Sequence, residues 1–246
     1  MLLMRLDQAI AARFPNISRR QARDLIAARR VLVNERAVAI ASRDVREQDR
    51  IAVVGKTTDI EILKITDGFV AANKPSGMPT QPTRDRQQRS LEELLRAQFK
   101  SIYLVHRLDT GTSGVVVFAR TRDAAASLSG LFSSREVRKT YLASVDGAID
   151  QPMTIDSPIG GKEAISRIRP RADGLIEAEI ETGRTHQIRI HLASIGHPVI
   201  GDRRYGGPKA PRLMLHAWKL EHELLGALEA PVPDDLIRSG APWKPM

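Results

Sequence analysis

Asp109 stands in the stretch VHRLDTGTSG, residues 105–114, two residues after Arg107 and beside Thr110, Gly111, Thr112, Ser113 and Gly114. Side chains this small leave room for a ligand backbone next to a carboxylate. The apolar run VVVFA follows at once, which predicts a buried strand with the carboxylate on rigid support at its mouth. An ionised carboxylate there can attack an electrophilic carbon or remove a proton. An ordinary turn aspartate that bonds its own backbone has the same local sequence.

A second cluster, TGRTHQIRIHLASIGHPVIGDRRYGG, residues 182–207, carries Arg184, His186, Arg189, His191 and His197. Thr185 is a candidate N-cap of a helix that Gly196 and Pro198 stop. His186 and Arg189 are three apart and share a face of that helix, and Ile188, Leu192 and Ile195 form its buried stripe. A helix start behind Gly183 with two arginines suits an anion; caps and surface ion pairs use the same residue types. His186 and His191 are five apart, there is no HExxH, and the chain has no cysteine, so no metal is expected. Tyr141, one of three tyrosines, opens a strand in RKTYLAS behind Arg138 and Lys139; packing is the common use of such a residue. Lys74 precedes a Pro-Ser-Gly turn in ANKPSGMPT.

The elements that must position these groups follow from periodicity. GFVAANK, GVVVFAR, TYLASVDG and LIEAEIE read as strands, and SLEELLRAQ, RDAAASLSGLF and HQIRIHLASIG as helices. Ahead of them lies a smaller unit. Leu6, Ile10 and Phe14 mark one helix ending before Pro15, and Ser18 with Gln21 is a capping-box signal for a second, SRRQARDLIAARR. On ideal geometry Arg19, Arg23 and Arg30 project within roughly 40° of one another and make a cationic face with few carboxylates nearby, suited to phosphate; a solvated helix face is the other reading. VLVN and DRIAVV are short strands. We place the boundary between residues 1–58 and 59–246, with 55–66 as linker or strand.

The 246 residues carry 38 basic and 29 acidic side chains, a net charge of +9, which favours a polyanionic partner. The N-terminus lacks a signal-peptide core and no apolar run is long enough for a membrane span. A cytoplasmic protein, a monomer, is expected.

Taken together, HRLDTGTSG, KTYLA and GRTHQIRIHLASIGHPVIGDRRYG in this order, with NKPSGMPT upstream and LHAWKL at 215–220, resemble the RluA-type pseudouridine synthases of ribosomal and transfer RNA, over roughly residues 60–225. The resemblance implies an α+β protein whose catalytic domain is a mixed, mainly antiparallel sheet with flanking helices. It implies Asp109 as the catalytic carboxylate, Arg189 as its basic partner and Tyr141 as the ring packed on the target base. Arg107 is then the residue that fills the gap left by an extruded nucleotide. His106, Lys74, Arg184, Thr185, His186 and Leu192 complete the substrate site, and Arg19, Arg20, Arg23, Arg30 and Lys139 contact RNA. No cofactor is implied, since every atom exchanged belongs to the substrate. RLDQAI, SRRQARDLI, VLVN and DRI resemble the small RNA-binding domain named after ribosomal protein S-four, whose members carry glycine where Arg30, Glu35 and Gln48 stand here. That domain tilts the expected target toward large-subunit ribosomal RNA. The alternative is a non-catalytic RNA-binding or ribosome-assembly factor.

Overall fold

The computed structural model describes residues 3–14, 17–27, 30–34, 36–53, 60–83 and 89–237. It divides into two compact units, Met1–Asp59 and Ile60–Met246. Pro15, Glu35 and linker residues 55–59 lie outside the described residues.

In the first unit, strand β1 (Leu3–Arg5) leads into helices α1 (Leu6–Arg13) and α2 (Arg19–Ala27). Strands β2 (Val31–Val33), β3 (Arg36–Val38), β4 (Asp44–Arg46) and β5 (Ile51–Val53) follow. The apolar residues of α1 and α2 converge on those of the strands: Leu6, Ile10, Ala22 and Ile26 bury with Val31, Val33 and Val45. Ser18 and Gln21 form the reciprocal cap, Gln21 N–H donating to Ser18 Oγ and Ser18 N–H to Gln21 Oε1. Polar side chains do the turn work that the related domains give to glycine. Asn34 takes a left-handed φ of 50° and its amide bridges the Asp49 carboxylate and the Arg50 N–H. Asp49 in turn accepts from the Arg46 N–H.

Two features of the cationic face differ from expectation. The helix described ends at Ala27, so Arg30 is not on it and the ideal-helix projection does not apply. The arginines also have a carboxylate partner: Asp7 is fully buried and receives the Nε of Arg5, Arg19 and Arg23 at 3.1, 3.3 and 2.9 Å. Burial would raise the Asp7 pKa, but Arg5 and Arg23 hold it well below the carboxylate range. Sequence spacing missed Asp7 because it belongs to a different helix. Arg20 is exposed.

The second unit runs β6 (Glu61–Ile65), β7 (Phe69–Lys74), α3 (Leu91–Gln98), β8 (Tyr103–Leu104), β9 (Ser113–Ala119), α4 (Arg122–Ser133) and β10 (Arg138–Ala143). It continues with β11 (Met153–Ile155), β12 (Ser166–Pro170), β13 (Ile176–Ile180), α5 (Gln187–Ser194), β14 (Leu215–His222), β15 (Gly226–Glu229) and α6 (Asp234–Ile237). Its strands form one sheet in the order β11-β12-β13-β10-β14-β9-β7-β6, with β15 on β14 and β8 on β9. Every pairing is antiparallel except β14 with β9, so the sheet is mixed and mainly antiparallel.

Strand β9 is buried throughout, and apolar from Val115 onward, because both of its faces are covered. The two-residue period sends Val116 and Phe118 to the α3 side, with Leu91 and Leu95. It sends Val115, Val117 and Ala119 to the α4 side, with Leu128. A third cluster, with Leu142, Ile168 and Ala178 from the strands, takes Ile188 and Leu192 from α5.

The parallel β9–β14 junction fixes the start of β9. Gly114 has φ +114°, and a Cβ there would lie 2.1 Å from the Ala217 carbonyl oxygen. Gly114→Ala is expected to cost more than about 2 kcal/mol, from strain and from prising the strands apart. Chemical denaturation checks this; a wild-type midpoint would contradict it.

Candidate active site

Asp109 lies on the short connection from β8 to β9, and that connection is clamped by the loop after β7. Lys74, fully buried, donates through Nζ to the carbonyls of Pro75, Met78 and Thr110. Ser76 Oγ donates to the Gly111 carbonyl at 2.6 Å and Gly77 N–H to that of Thr110 at 2.8 Å. Thr80 Oγ1 donates to the Leu108 carbonyl and accepts from its N–H. Lys74 therefore fixes the loop that presents Asp109 and does not itself line the cleft. Burial pushes its pKa down to about 7 against the pull of the Asp109 charge.

A single cleft gathers Arg107, Asp109, Thr112, Tyr141, Arg184, His186 and Arg189. Arg189 NH1 donates to Asp109 Oδ2 at 3.3 Å. His186 Nε2 lies 3.5 Å from the same oxygen. Among the described residues Oδ1 accepts no protein hydrogen bond. Tyr141 reaches the cleft from β10, where a bulge between Thr140 and Tyr141 interrupts the pairing with β14; bulges of this kind re-aim side chains. Burial, and then the Asp109 charge, push the Tyr141 pKa up, so its phenol stays neutral.

The turn into α5 is built differently from the expected Thr185 cap. Thr185 is exposed and the residue before the helix is His186, with φ 58° and ψ 22°. The helix has no side-chain cap, and the buried Gln187 amide instead ties the preceding turn to the sheet. Its Oε1 accepts from Thr182 Oγ1 and the Arg184 N–H, and its Nε2 donates to Ile165 O and Ser166 Oγ. A left-handed conformation in a residue with a large side chain is strained by order 1–3 kcal/mol. Here it carries the imidazole to Asp109. Burial lowers the His186 pKa, with Asp109 opposing and Arg189 and Arg204 reinforcing the shift. His191, fully inside, binds Ser166 Oγ and the Ser157 carbonyl, a packing role. Among the described residues no cluster of histidines and carboxylates could hold a metal ion, and no helix is long and apolar enough to cross a membrane.

Three expected site residues sit behind the cleft. Leu192 is fully buried in the core under α5. His106 is half-buried, stacks on Phe132 at 4.2 Å and accepts the Val117 N–H through Nε2. Lys139, expected on RNA, is buried on β10, since the strand's alternation turns it inward. Gly111 and Gly114 are small because Leu213 and Ala217 approach them, so of the TGTSG residues Thr112 is the one that lines the cleft.

Two residues that spacing did not single out complete the site. Asp202, buried, accepts from Arg189 Nε and NH2 at 2.6 and 2.8 Å. Burial would raise its pKa, but Arg189 holds it below its ordinary value. Burial would equally lower Arg189, yet Asp202 and then Asp109 hold it above. Tyr205 places its hydroxyl 2.9 Å from His186 Nδ1. Both residues lie in the quoted GDRRYGG stretch, and their scarcity of neighbours of like type was the available signal.

Burial pushes His106 down to about 3, helped by Lys139, and His216 down to about 4. Both stay neutral in the fold, whereas an unfolded histidine takes up a proton near about 6.5. The unfolded chain thus binds more protons below about pH 6.5, and stability falls from there toward pH 4. Urea midpoints at pH 8 and pH 5 check the sign; equal midpoints would contradict it.

The RNA pseudouridylate synthase family profile matches residues 68–194, and the S4 domain profile matches residues 4–51. The chain is 34% identical to the uncharacterized RNA pseudouridine synthase YhcT of Bacillus subtilis, over 81% of this chain and 74% of that protein. It is 32% identical to ribosomal large subunit pseudouridine synthase D of Nitrosomonas europaea, over 95% of this chain and 82% of that one. The solved structure of human RNA pseudouridylate synthase domain containing 1 superposes with a TM-score of 0.62 and 27% identity, over 76% of this chain and 88% of that chain. A mixed sheet with this cleft, following an S4 domain, defines an RNA-modifying isomerase. The chain belongs to the RNA pseudouridylate synthase family.

Proposed function

We propose that this protein isomerises a uridine of large-subunit ribosomal RNA to pseudouridine, with Asp109 as the catalytic carboxylate. The observation that carries the reading is the meeting of Asp109, Arg189 and Tyr141 in one cleft. The target class is supported by the names of relatives such as synthase D of Nitrosomonas europaea.

The reaction breaks the bond from ribose carbon 1′ to uracil N1 and forms one from carbon 1′ to carbon 5. Carbon 5 loses its proton and N1 gains one, so no electrons are transferred and nothing is consumed. An ionised carboxylate starts this either by attacking carbon 1′ or by removing the 2′ proton. Both routes need a negative Asp109, and Arg189, 3.3 Å away, supplies the compensating charge. Oδ2 is taken by Arg189 and His186, which leaves Oδ1 to react. The base must leave its stack, at a cost of a few kcal/mol in paired RNA. The neutral Tyr141 ring gives the extruded uracil an apolar face, and Arg107, exposed at the rim, is placed to occupy the space it vacates. Arg19, Arg20 and Arg23 of the S4 domain supply backbone contact; Asp7 holds two of them by Nε, leaving their outer N–H groups for phosphate.

The test is a large-subunit ribosomal RNA transcript incubated with the purified protein and mapped chemically for pseudouridine. The expected result is modification at one or a few defined uridines. A transcript left unmodified, when ribosomal RNA from cells lacking the gene is also fully modified, contradicts the reading.

A further inference from the structure

Among the described residues one buried side-chain nitrogen makes no hydrogen bond, Nε2 of His216 on β14. The residue is fully buried, and its other ring nitrogen, Nδ1, meets Ser113 Oγ at 2.9 Å. The Ala230 carbonyl is near enough to favour a proton on the ring, but Nε2 closes no bond with it. An unpaired polar atom in a core costs stability. A leucine would fill this place without that cost, so what the histidine adds is its one bond, to Ser113.

Ser113 stands where such a bond has consequences. It is the first residue of β9 and follows the turn that carries Asp109, which Thr112 N–H closes by donating to the Asp109 carbonyl at 3.1 Å. The loop after β7 holds Thr110 and Gly111 in this turn. The exit of the turn has a different support. There β9 runs parallel to β14 over two residue pairs, Ser113 with His216 and Gly114 with Ala217. Parallel pairing is the weaker kind per residue, and two pairs give it little with which to hold register. The bond between His216 and Ser113 joins the first of those pairs a second time, through the side chains.

A further hold reaches the same hydroxyl from the C-terminal side. Arg212 NH1 donates to Ser113 Oγ at 3.4 Å and to the Leu213 carbonyl at 3.1 Å. Its Nε and NH2 form a fork on Asp235 of α6, each at 2.6 Å. Ser113 is thus tied to β14 directly and to α6 through Arg212. None of Ser113, Arg212 and His216 lines the cleft, so any effect they have on the reaction passes through the backbone that follows Asp109.

We propose that His216 and Ser113 are positioning residues for the isomerisation: their side-chain bond pins the start of β9 to β14 and so fixes the exit of the turn that presents Asp109. This rests on Asp109 being the reacting group. It gives the LHAWKL stretch a part in the chemistry beyond the apolar lining that Leu215 supplies to the cleft.

The experiment is steady-state turnover of an RNA substrate, with urea midpoints at pH 8, for wild type, His216→Leu, His216→Asn, Ser113→Ala, the double variant His216→Leu with Ser113→Ala, and Asp109→Asn. Leucine fills the place of the ring without the bond. Asparagine puts a polar atom near the place of Nδ1 and leaves a void behind it. A displacement of about 1 Å at a reacting group is enough to cost about 100-fold. His216→Leu and Ser113→Ala are each expected to lower kcat about 10- to 100-fold, with KM for RNA within about threefold of wild type. The double variant is expected to be no slower than either single one, because the two residues act as a unit. It leaves neither partner of the bond unpaired, so its urea midpoint is expected at or above wild type. His216→Asn reverses the pattern, with a lower midpoint from the void and kcat within about threefold of wild type, an order-of-magnitude expectation for a retained bond. Turnover and stability then move in opposite directions, which a pair serving only the fold would not produce. Wild-type kcat in the double variant overturns the proposal, and so does a His216→Asn variant as slow as His216→Leu. Should the double variant fail to fold, the comparison of His216→Asn with His216→Leu decides. An active Asp109→Asn would instead remove the reading on which the proposal rests, whereas an inert Asp109→Asn beside wild-type turnover in the double variant sinks the proposal alone.

Discussion

Asp109→Asn is expected to bind RNA as wild type does and to turn it over at least about 10³-fold more slowly. The substitution changes one atom and almost no volume. An asparagine oxygen still accepts from Arg189 NH1, so the clamp from the Lys74 loop and the shape of the cleft persist. What is lost is the negative charge, and neither attack on carbon 1′ nor removal of the 2′ proton proceeds from a neutral amide. Affinity comes from phosphate contacts elsewhere and is expected within about threefold of wild type. Single-turnover kinetics with enzyme in excess separates the two quantities. A rate within tenfold of wild type would remove Asp109 from the chemistry.

Arg189→Met combines a catalytic and a structural loss. Asp202 is 1% exposed and Arg189 12%, so the variant leaves a buried carboxylate facing a thioether. Breaking a buried pair from one side costs about 3–5 kcal/mol, toward the lower end here because Arg189 keeps some contact with water. Turnover is expected to fall about 10²–10³-fold, the size of effect seen when one preorganised charge is removed from a site. The double variant Arg189→Met with Asp202→Leu separates these effects. It has no lone buried charge, so the urea midpoint is expected to recover while turnover stays low. Recovery of both would mean that Arg189 serves only the fold.

The sequence was most legible where one period dominates. The VVVFA run is a strand because its neighbours α3 and α4 cover alternate residues, and Ile188 and Leu192 bury as a helical stripe. The pairing of Asp109 with Arg189, 80 residues apart, was legible from the joint occurrence of motifs and not from spacing. Short charged strands were harder. In Ser166–Pro170 two arginines flank a single isoleucine, and nothing in so short a stretch distinguishes a strand, here paired with β11 and β13, from a loop. Asp7, Asp202 and Lys74 share another difficulty. A charged residue declares itself structural only once its partners arrive from other elements, and those partners are set by tertiary folding. His186 was expected inside the helix; it precedes it in a left-handed turn, where the Gln187 amide accepts from the Arg184 N–H and ties that turn to the sheet.

The most direct measurement uses an RNA substrate whose uridines carry tritium at carbon 5. Forming the new bond must expel that hydrogen to water, one for each pseudouridine made. The account predicts tritium release by the wild-type protein, with no added cofactor, in equal number to the pseudouridines mapped, and none by Asp109→Asn at matched RNA occupancy. Equal release from both proteins, or pseudouridine formed without release, would contradict it.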